Sequence, residues 1–267
     1  MIRNPVVAGQ FYPASPKELK RQIGEFIQKD AKKERAFGVV SPHAGYIFSG
    51  SVAGAVYSRV EVPDKVVILG PNHTGRGVPF SIVTEGSWVT PLGSVKIASG
   101  LGRNILGGSK CLQEDTAAHA FEHSIEVQLP FLQYMNPRLS FVPVCLSSGD
   151  YGCYEDIASA IYGAVKSEPG KVLLVASSDM THYEPAEFAK RQDNKAIESI
   201  IKLDEKLLLK RVKDFNISMC GYVPAAVMLI ACRKMGASAG ELVSYRTSGD
   251  VTQDDSEVVG YAGVIIK

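Results

Sequence analysis

The chain has 267 residues, of which 45% are hydrophobic and 21% charged, a composition typical of a globular protein with a large core. Its net charge is +1, which argues against binding to nucleic acid or to an anionic membrane. No window approaches the roughly eighteen uninterrupted apolar residues that indicate a membrane span.

The first half of the chain predicts helices and strands in alternation, followed by a β-rich stretch. Ser15 and Pro16 are typical of a helix start, since Ser caps free backbone N–H groups and Pro suits the first turn. The basic run 29–35 is short and mixed in sign, so we interpret it as a solvated helix end. The predicted elements are a helix from Pro16, a strand at 36–41, a helix at 50–59, a strand at 65–70, and antiparallel strands or a hairpin within 79–98.

The second half continues the alternation. It predicts a helix at 124–135 that Pro130 should kink, a strand at 140–146, a helix near 154–166, a strand at 171–176, one or two helices within 187–212, a helix at 222–235, and closing strands at 241–246 and 258–266. Strands that alternate with helices predict an α/β fold. We therefore expect one domain over 1–267, with a central mixed, mostly parallel sheet flanked by helices.

Five cysteines occur at irregular spacing, and none forms a C-x-x-C pair. This pattern indicates neither a disulfide framework nor a zinc-finger site. The first residues show no long apolar stretch of the signal-peptide kind, so we expect a cytoplasmic protein.

Two histidines directly follow two predicted buried strands. His43 lies in SPHAGY and His73 in GPNHTG. In an open α/β sheet, ligands gather beyond the carboxyl ends of the strands, where these two imidazoles could share a metal ion. Cys220 precedes the helix at 222–235, and a helix N-terminus should lower the pKa of its thiol. The alternative, that Cys220 is a small buried hydrophobe and the histidines are ordinary loop residues, stays open.

A third strand end carries Asp179 and His182, in SSDMTHY. An aspartate can orient an imidazole, and an imidazole beside a metal can move protons. The same residues could instead cap a turn and bond to backbone groups.

Residues 119–123, His-Ala-Phe-Glu-His, match the H-x-x-E-H pattern of inverted zinc peptidases. That pattern is short and needs a helix, which the preceding residues do not favour. Glu122 and His123 could instead line the cleft. Phosphate-binding loops and the serine nucleophile motif are not matched anywhere in the chain.

Several longer motifs together resemble the Memo family. They run in order along essentially the whole chain: NPVVAGQFYP, SPHAGYIFSG, GPNHTG, WVTPLG, EHSIEVQLPF, SSDMTHY, CGYVPAAV and GYAGVII. The resemblance implies an α/β fold similar to that of the class III extradiol ring-cleavage dioxygenases, which hold non-haem iron with two His and one Glu.

The same resemblance implies roles for particular residues. His43, His73 and Cys220 match the metal-binding positions of the Memo family, and His182 matches the acid/base histidine of the dioxygenases, with Asp179 in the same motif. Glu122 and His123 fall in the family's EHSIE segment. Cys in place of Glu favours iron or copper, with zinc also acceptable.

Three functions are therefore considered. The first is an iron- or copper-dependent, oxygenase-like redox enzyme acting on an unknown small molecule or peptide. The second is a non-catalytic module that binds a phosphopeptide or protein in the same cleft. The third is the zinc peptidase of residues 119–123. The resemblance also implies a pathway link to a radical-SAM protein.

Overall fold

Twelve β-strands join into one mixed sheet in the computed structural model, which describes residues 2–267. The strands are β1 Ile2–Arg3, β2 Gly38–Ser41, β3 Lys65–Pro71, β4 Phe80–Ile82, β5 Ser87–Thr90, β6 Gly93–Ile97, β7 Gln113–Glu114, β8 Ser140–Leu146, β9 Val172–Ser177, β10 His182–Glu184, β11 Gly240–Thr247 and β12 Val258–Ile266. Their order is β1-β5-β6-β8-β3-β9-β2-β12-β10, with β11 beside β12, and β4 joining β7 to β8.

The centre of the sheet is parallel. Strands β8, β3, β9 and β2 pair in parallel, whereas β12 runs antiparallel to β2. Strands β3 and β9 are apolar along nearly their whole length and buried, as expected for parallel strands covered on both faces. Because parallel strands end at the same edge, the loops after β3, β9 and β2 meet there.

Helices cover both faces of the sheet. Residues 2–267 contain α1 Pro16–Phe26, α2 Tyr46–Arg59, α3 Ser99–Gly108, α4 Gln128–Met135, α5 Tyr151–Lys166, α6 Ala186–Ile201, α7 Glu205–Asp214, α8 Tyr222–Lys234 and α9 Gly249–Thr252. Helices α1, α2 and α4 pack together, while α3, α5, α7 and α8 form a second packed group. Each group encloses its own apolar core against the sheet. No helix in this part of the chain has the length and apolar character needed to cross a membrane.

The predicted fold class is confirmed: the protein is an α/β domain with a mixed, mostly parallel sheet. Ser15 caps α1 and Pro16 begins it, as the sequence indicates. The β-rich stretch contains the expected hairpin, since β5 and β6 pair antiparallel.

The helix predicted at 124–135 is shorter than expected. Turns occupy 124–127 and α4 begins at Gln128, so Pro130 lies in the first helical turn. The first turn needs no intrahelical partner for its N–H groups, and Pro130 therefore produces no kink.

Two other features differ from the sequence prediction. The basic run 29–35 is not a helix end, because α1 stops at Phe26 and these residues form a loop. Cys111 and Cys153 form a disulfide that joins the loop after α3 to the first turn of α5. Irregular cysteine spacing gave no sign of this pair, because their proximity depends on how α3 packs against α5.

Candidate metal centre

Three adjacent parallel strands each deliver a polar side chain two residues beyond their last residue. His73 follows β3, Asp179 follows β9 and His43 follows β2. Because β9 lies between β3 and β2, the two histidines approach from either side of Asp179. The structure thus brings together residues that lie far apart in the sequence.

Hydrogen bonds fix the tautomer of His43. The Ser177 hydroxyl donates to the Ser124 carbonyl over 2.7 Å and accepts from the Gln128 amide over 2.8 Å. Its single proton is therefore used, so the 2.8 Å contact with His43 requires that Nδ1–H of His43 donate. Nε2 of His43 is left as a lone-pair donor. Burial lowers the pKa of His43 well below its usual value, with the nearby His73 adding to the effect.

Glu122 orients His73 in a similar way. Its carboxylate accepts from the His73 backbone N–H over 2.6 Å and from Nδ1–H of the ring over 2.8 Å. Although burial alone would raise it, the pKa of Glu122 falls to about 2 through its bond and charge interaction with His73. Burial lowers the pKa of His73, but the Glu122 bond and charge outweigh burial and raise it. A carboxylate behind an imidazole is a common support for a metal ligand.

His123 completes a cluster of three imidazoles. One nitrogen from each of His43, His73 and His123 lies within 4.8 Å of the others. The rings of His73 and His123 stack, with centroids 4.8 Å apart. Burial lowers the pKa of His123 and so favours the neutral form that binds metals. The sequence considered His123 only as a zinc ligand together with His119 or as a cleft residue, and it did not group His123 with His43 and His73 because His123 follows no strand.

The sulfur of Cys220 lies beside this cluster. It is 3.3 Å from Nε2 of His43 and accepts from the Asp179 backbone N–H over 3.2 Å. Gly221 makes this approach possible, because a Cβ there would lie 2.3 Å from the Ser177 carbonyl oxygen. The expected lowering of the thiol pKa is wrong for the metal-free protein: burial raises the pKa of Cys220, and the Asp179 charge raises it further. The effect of burial on the pKa of Cys220 outweighs that of the N-terminus of α8, which begins at Tyr222.

Asp179 is buried in contact with the same atoms. Its Oδ1 accepts from the His43 backbone N–H over 2.8 Å, and its Oδ2 lies 4.0 Å from Nε2 of His43. Burial raises the pKa of Asp179 to about 6, against the lowering effect of the His43 bond. Asp179 therefore adds a titratable oxygen next to the nitrogen and sulfur donors.

His182 lies on the short strand β10 and is also oriented by backbone contacts. Its Nδ1–H donates to the Ser218 carbonyl over 3.0 Å, and its backbone N–H donates to the Ser218 hydroxyl over 2.8 Å. The next residue, Tyr183, has a φ of 57° and interrupts the pairing with β12. A left-handed backbone at a bulky residue is strained and marks a locally constrained loop.

The three imidazoles differ in their exposure to solvent. The side chain of His43 is 2% exposed, whereas those of His73 and His123 are 32% and 24% exposed. Phe121, directly before Glu122 and His123 in the chain, is an exposed aromatic residue, with the Arg76 guanidinium 4.4 Å from its ring centroid. Solvent therefore reaches the cluster through His73 and His123 rather than through His43.

The amino-terminal segment closes another side of the centre. Glu126 is buried and accepts from the Arg3 guanidinium and the Tyr12 hydroxyl, each over 2.7 Å. Phe11 packs on His123 with the ring centroids 4.9 Å apart. The NPVVAGQFYP motif is therefore part of the site's wall.

The H-x-x-E-H stretch does not form a peptidase centre. Residues 119–123 are turns and loop rather than helix, so His119 and His123 do not share a helical face. His119 is buried against Trp88, with ring centroids 5.9 Å apart, and lies outside the imidazole cluster. Glu122 instead supports His73.

Comparisons with known proteins agree with one another. The family model described as Memo-like protein matches residues 3–265. A MEMO1 family protein of Methanopyrus kandleri, MK0963, is 44% identical, with 100% of this chain and 99% of the relative covered. One from Methanosarcina barkeri, Mbar_A1422, is 41% identical, with both chains covered completely.

A solved structure shares the fold alone. The uncharacterized protein JW3007 from Escherichia coli K12 aligns with a TM-score of 0.52 and 14% sequence identity. The alignment covers 77% of this chain and 87% of that one. It therefore supports the α/β architecture and carries no information on activity.

Proposed function

Because the chain belongs to the Memo-like protein family, we propose that it is a transition-metal enzyme of the oxygenase-like redox type. His43, His73 and Cys220 would hold iron or copper, with zinc as a further acceptable ion, and His123 lies near enough to serve as an additional donor. The observation that carries this proposal is the convergence of one ring nitrogen from each of three imidazoles within 4.8 Å.

The chemistry of the donors fits a transition metal. Imidazole and thiolate ligands suit iron(II), copper and zinc, whereas magnesium and calcium prefer oxygen ligands. Ser177 and Glu122 each occupy Nδ1–H of a histidine and leave Nε2 free. A bound metal would favour the thiolate form of Cys220, because a coordinating thiol loses its proton.

Bound iron or copper would supply one-electron redox chemistry and activation of oxygen. Around it, His182 can accept or return a proton through Nε2, because its Nδ1–H is held by the Ser218 carbonyl. Asp179, whose pKa burial raises to about 6 in the metal-free protein, would supply a carboxylate next to His43 and Cys220. Phe11, which packs on His123, would limit the access of water to the imidazoles on its side of the cluster.

The direct test is metal content measured by mass spectrometry after anaerobic loading with iron(II), copper(I) or zinc. His43→Ala and His73→Ala are expected to lose the metal. Cys220→Ala and His123→Ala then determine which residue is the third ligand, since only the ligand's loss should remove the metal. His119→Ala is the control, because His119 lies outside the cluster.

If His73→Ala and Cys220→Ala both keep the full metal content, the assignment of the ligands is wrong. Turnover of a small-molecule library by the loaded protein, measured as oxygen consumption, then tests the redox activity. Loading without any oxygen consumption or peroxide formation would argue against an oxygenase.

A second candidate function is a cleft that binds a phosphopeptide or protein without catalysis. The exposed side chains of Phe121 and Tyr183, with Arg76 over the Phe121 ring, favour it. It predicts that binding persists after chelation of the metal, whereas the enzyme proposal predicts that ligand affinity follows metal occupancy. The pathway link to a radical-SAM protein stays a prediction, to be tested by co-purification.

A further inference from the structure

A cavity lies at the opposite end of the sheet from the histidines. It has a volume of about 400 Å³ and is bordered by residues that precede β2 and β9 and by the end of α8. Strand β9 has six residues, so the two ends of the sheet are roughly 20 Å apart. This cavity is therefore separate from the proposed metal centre.

The cavity lining contains exposed cations and half-buried apolar or aromatic side chains. We call Arg35, Lys166 and Lys234 the rim, and Phe37, Tyr162 and Met235 the floor. The three cations are exposed, whereas the floor residues are half-buried. Lys166 lies 5.8 Å from the centroid of the Tyr162 ring.

The cations at the rim are not neutralised by acidic side chains. The single carboxylate in the lining, Glu168, is paired with Lys65, and the further lining residue Lys171 is paired with Glu61. Arg35, Lys166 and Lys234 have no carboxylate within 4.0 Å in residues 2–267. This concentration of charge stands out because the chain as a whole carries only +1.

Helix dipoles account for only part of this arrangement. Lys166 and Lys234 lie in the last turns of α5 and α8, where a cation is favourable. Arg35, however, comes from the loop after α1 and belongs to no helix. Its convergence with the two lysines on one cavity brings like charges together, which a ligand anion would relieve.

We propose that this cavity binds a small aromatic anion of mononucleotide size, with its phosphate between the rim cations and its planar ring on the apolar floor. The volume falls within the range of small-molecule sites, about 300–1,000 Å³. Phosphate is the group that Arg and Lys recognise best, and a flat ring can pack against Phe37 and Tyr162.

The test uses the full-length protein in the presence of a chelator, titrated with AMP, GMP, CMP and UMP. We expect at least one of them to bind with a Kd below about 1 mM and to shift the backbone amide signals of Gly170 and Met235 in nuclear magnetic resonance spectra. The amide of His73, at the other end of the sheet, should not shift.

The double variant Arg35→Gln/Lys234→Gln should weaken that binding about tenfold or more, and added salt should weaken it further. The matched control Lys17→Gln/Lys20→Gln removes the same charge from exposed positions on α1 and should bind as the parent does. Equal affinity in the two double variants would overturn the proposal.

Three other results would also overturn it. The first is no amide shift with any of the four nucleotides at about 1 mM. The second is inorganic phosphate, or the nucleoside that lacks the phosphate, binding as tightly as the nucleotide that binds best, since the site would then not recognise both the ring and the phosphate. The third is shifts confined to the histidine end of the sheet.

Discussion

Glu122 shows how much the proposed centre depends on residues behind the ligands. Its carboxylate holds both the backbone N–H and the ring Nδ1–H of His73. The sequence located Glu122 in the cleft but could not assign its role, because the partner lies 49 residues away in the chain. Ser177 and Gln128 were not predicted as part of the site for the same reason: the hydrogen-bond partner of a polar side chain in an apolar segment is determined by the folded structure.

Replacing Glu122 by Gln should lower metal affinity about 10- to 100-fold, because His73 loses the carboxylate that orients it and makes it more basic. Competition with a chromophoric chelator measures the affinity. Glu61→Gln, at an exposed position, removes one negative charge elsewhere and should leave affinity unchanged. Equal affinities for the two variants would show that the Glu122–His73 contact does not support metal binding.

His119 should make folding stability sensitive to acid. Burial, aided by the Arg3 charge, lowers its pKa from 6.5 to about 4. Between pH 6.5 and about pH 4, His119 is protonated in the unfolded chain but neutral in the folded protein. The stability that its neutral form contributes is therefore fully present above pH 6.5 and decreases as the pH falls through this range. The loss is on the order of 3 kcal/mol.

The variant His119→Leu should flatten that dependence, since neither ring nitrogen of His119 has a hydrogen-bond partner to lose. Urea unfolding of chelated protein between pH 4 and 7 gives the slope. A variant with the same slope as the parent would mean that other groups govern the acid response.

At the scale of elements, the sequence predicted best where a single pattern decides the structure. Strand 140–146 was predicted with its observed bounds, because a short apolar run between turn residues allows little else. Helix α3 was missed because its sequence, SGLGRNILGG, contains four glycines and weak periodicity. It forms because Leu101 and Ile105 are buried against the sheet and α5, which overrides its low propensity.

The junction between β9 and α8 provides a test at this scale. Gly221→Ala should lower the free energy of unfolding by roughly 1–3 kcal/mol, because its Cβ would collide with the end of β9. It should also displace Cys220 from His43 and weaken metal binding. Gly163→Ala in α5 is the matched control: its Cβ meets nothing within 4 Å, so stability should rise by about 0.5–1 kcal/mol. Unfolding by denaturant measures the free energy of unfolding of both variants. If Gly221→Ala and Gly163→Ala change it by similar amounts, the close approach of Gly221 to the end of β9 is contradicted.

At the scale of the whole molecule, the Cys111–Cys153 disulfide closes a loop of the chain that includes Glu122, His123 and α4. Its sequence separation of 42 residues restricts the unfolded chain considerably. The double variant Cys111→Ser/Cys153→Ser should therefore be less stable by about 4 kcal/mol, measured by denaturant unfolding.

A reducing agent should destabilise the parent by a similar amount and leave the double variant unaffected. If the parent gives the same unfolding curve with and without reductant, the disulfide contributes nothing to stability. No sequence pattern predicted the pair, because its partners belong to separate elements that meet only in the assembled fold.

The strand order also sets how far apart the two strand-end histidines begin. His43 and His73 follow strands that are not neighbours, and the two outer strands are separated by the width of β9, roughly 10 Å from one to the other. The two imidazoles nevertheless lie 5.2 Å apart between ring centroids, because their side chains extend toward each other. The spacing that backbone hydrogen bonds impose between strands therefore determines the width of the gap that the two imidazoles share.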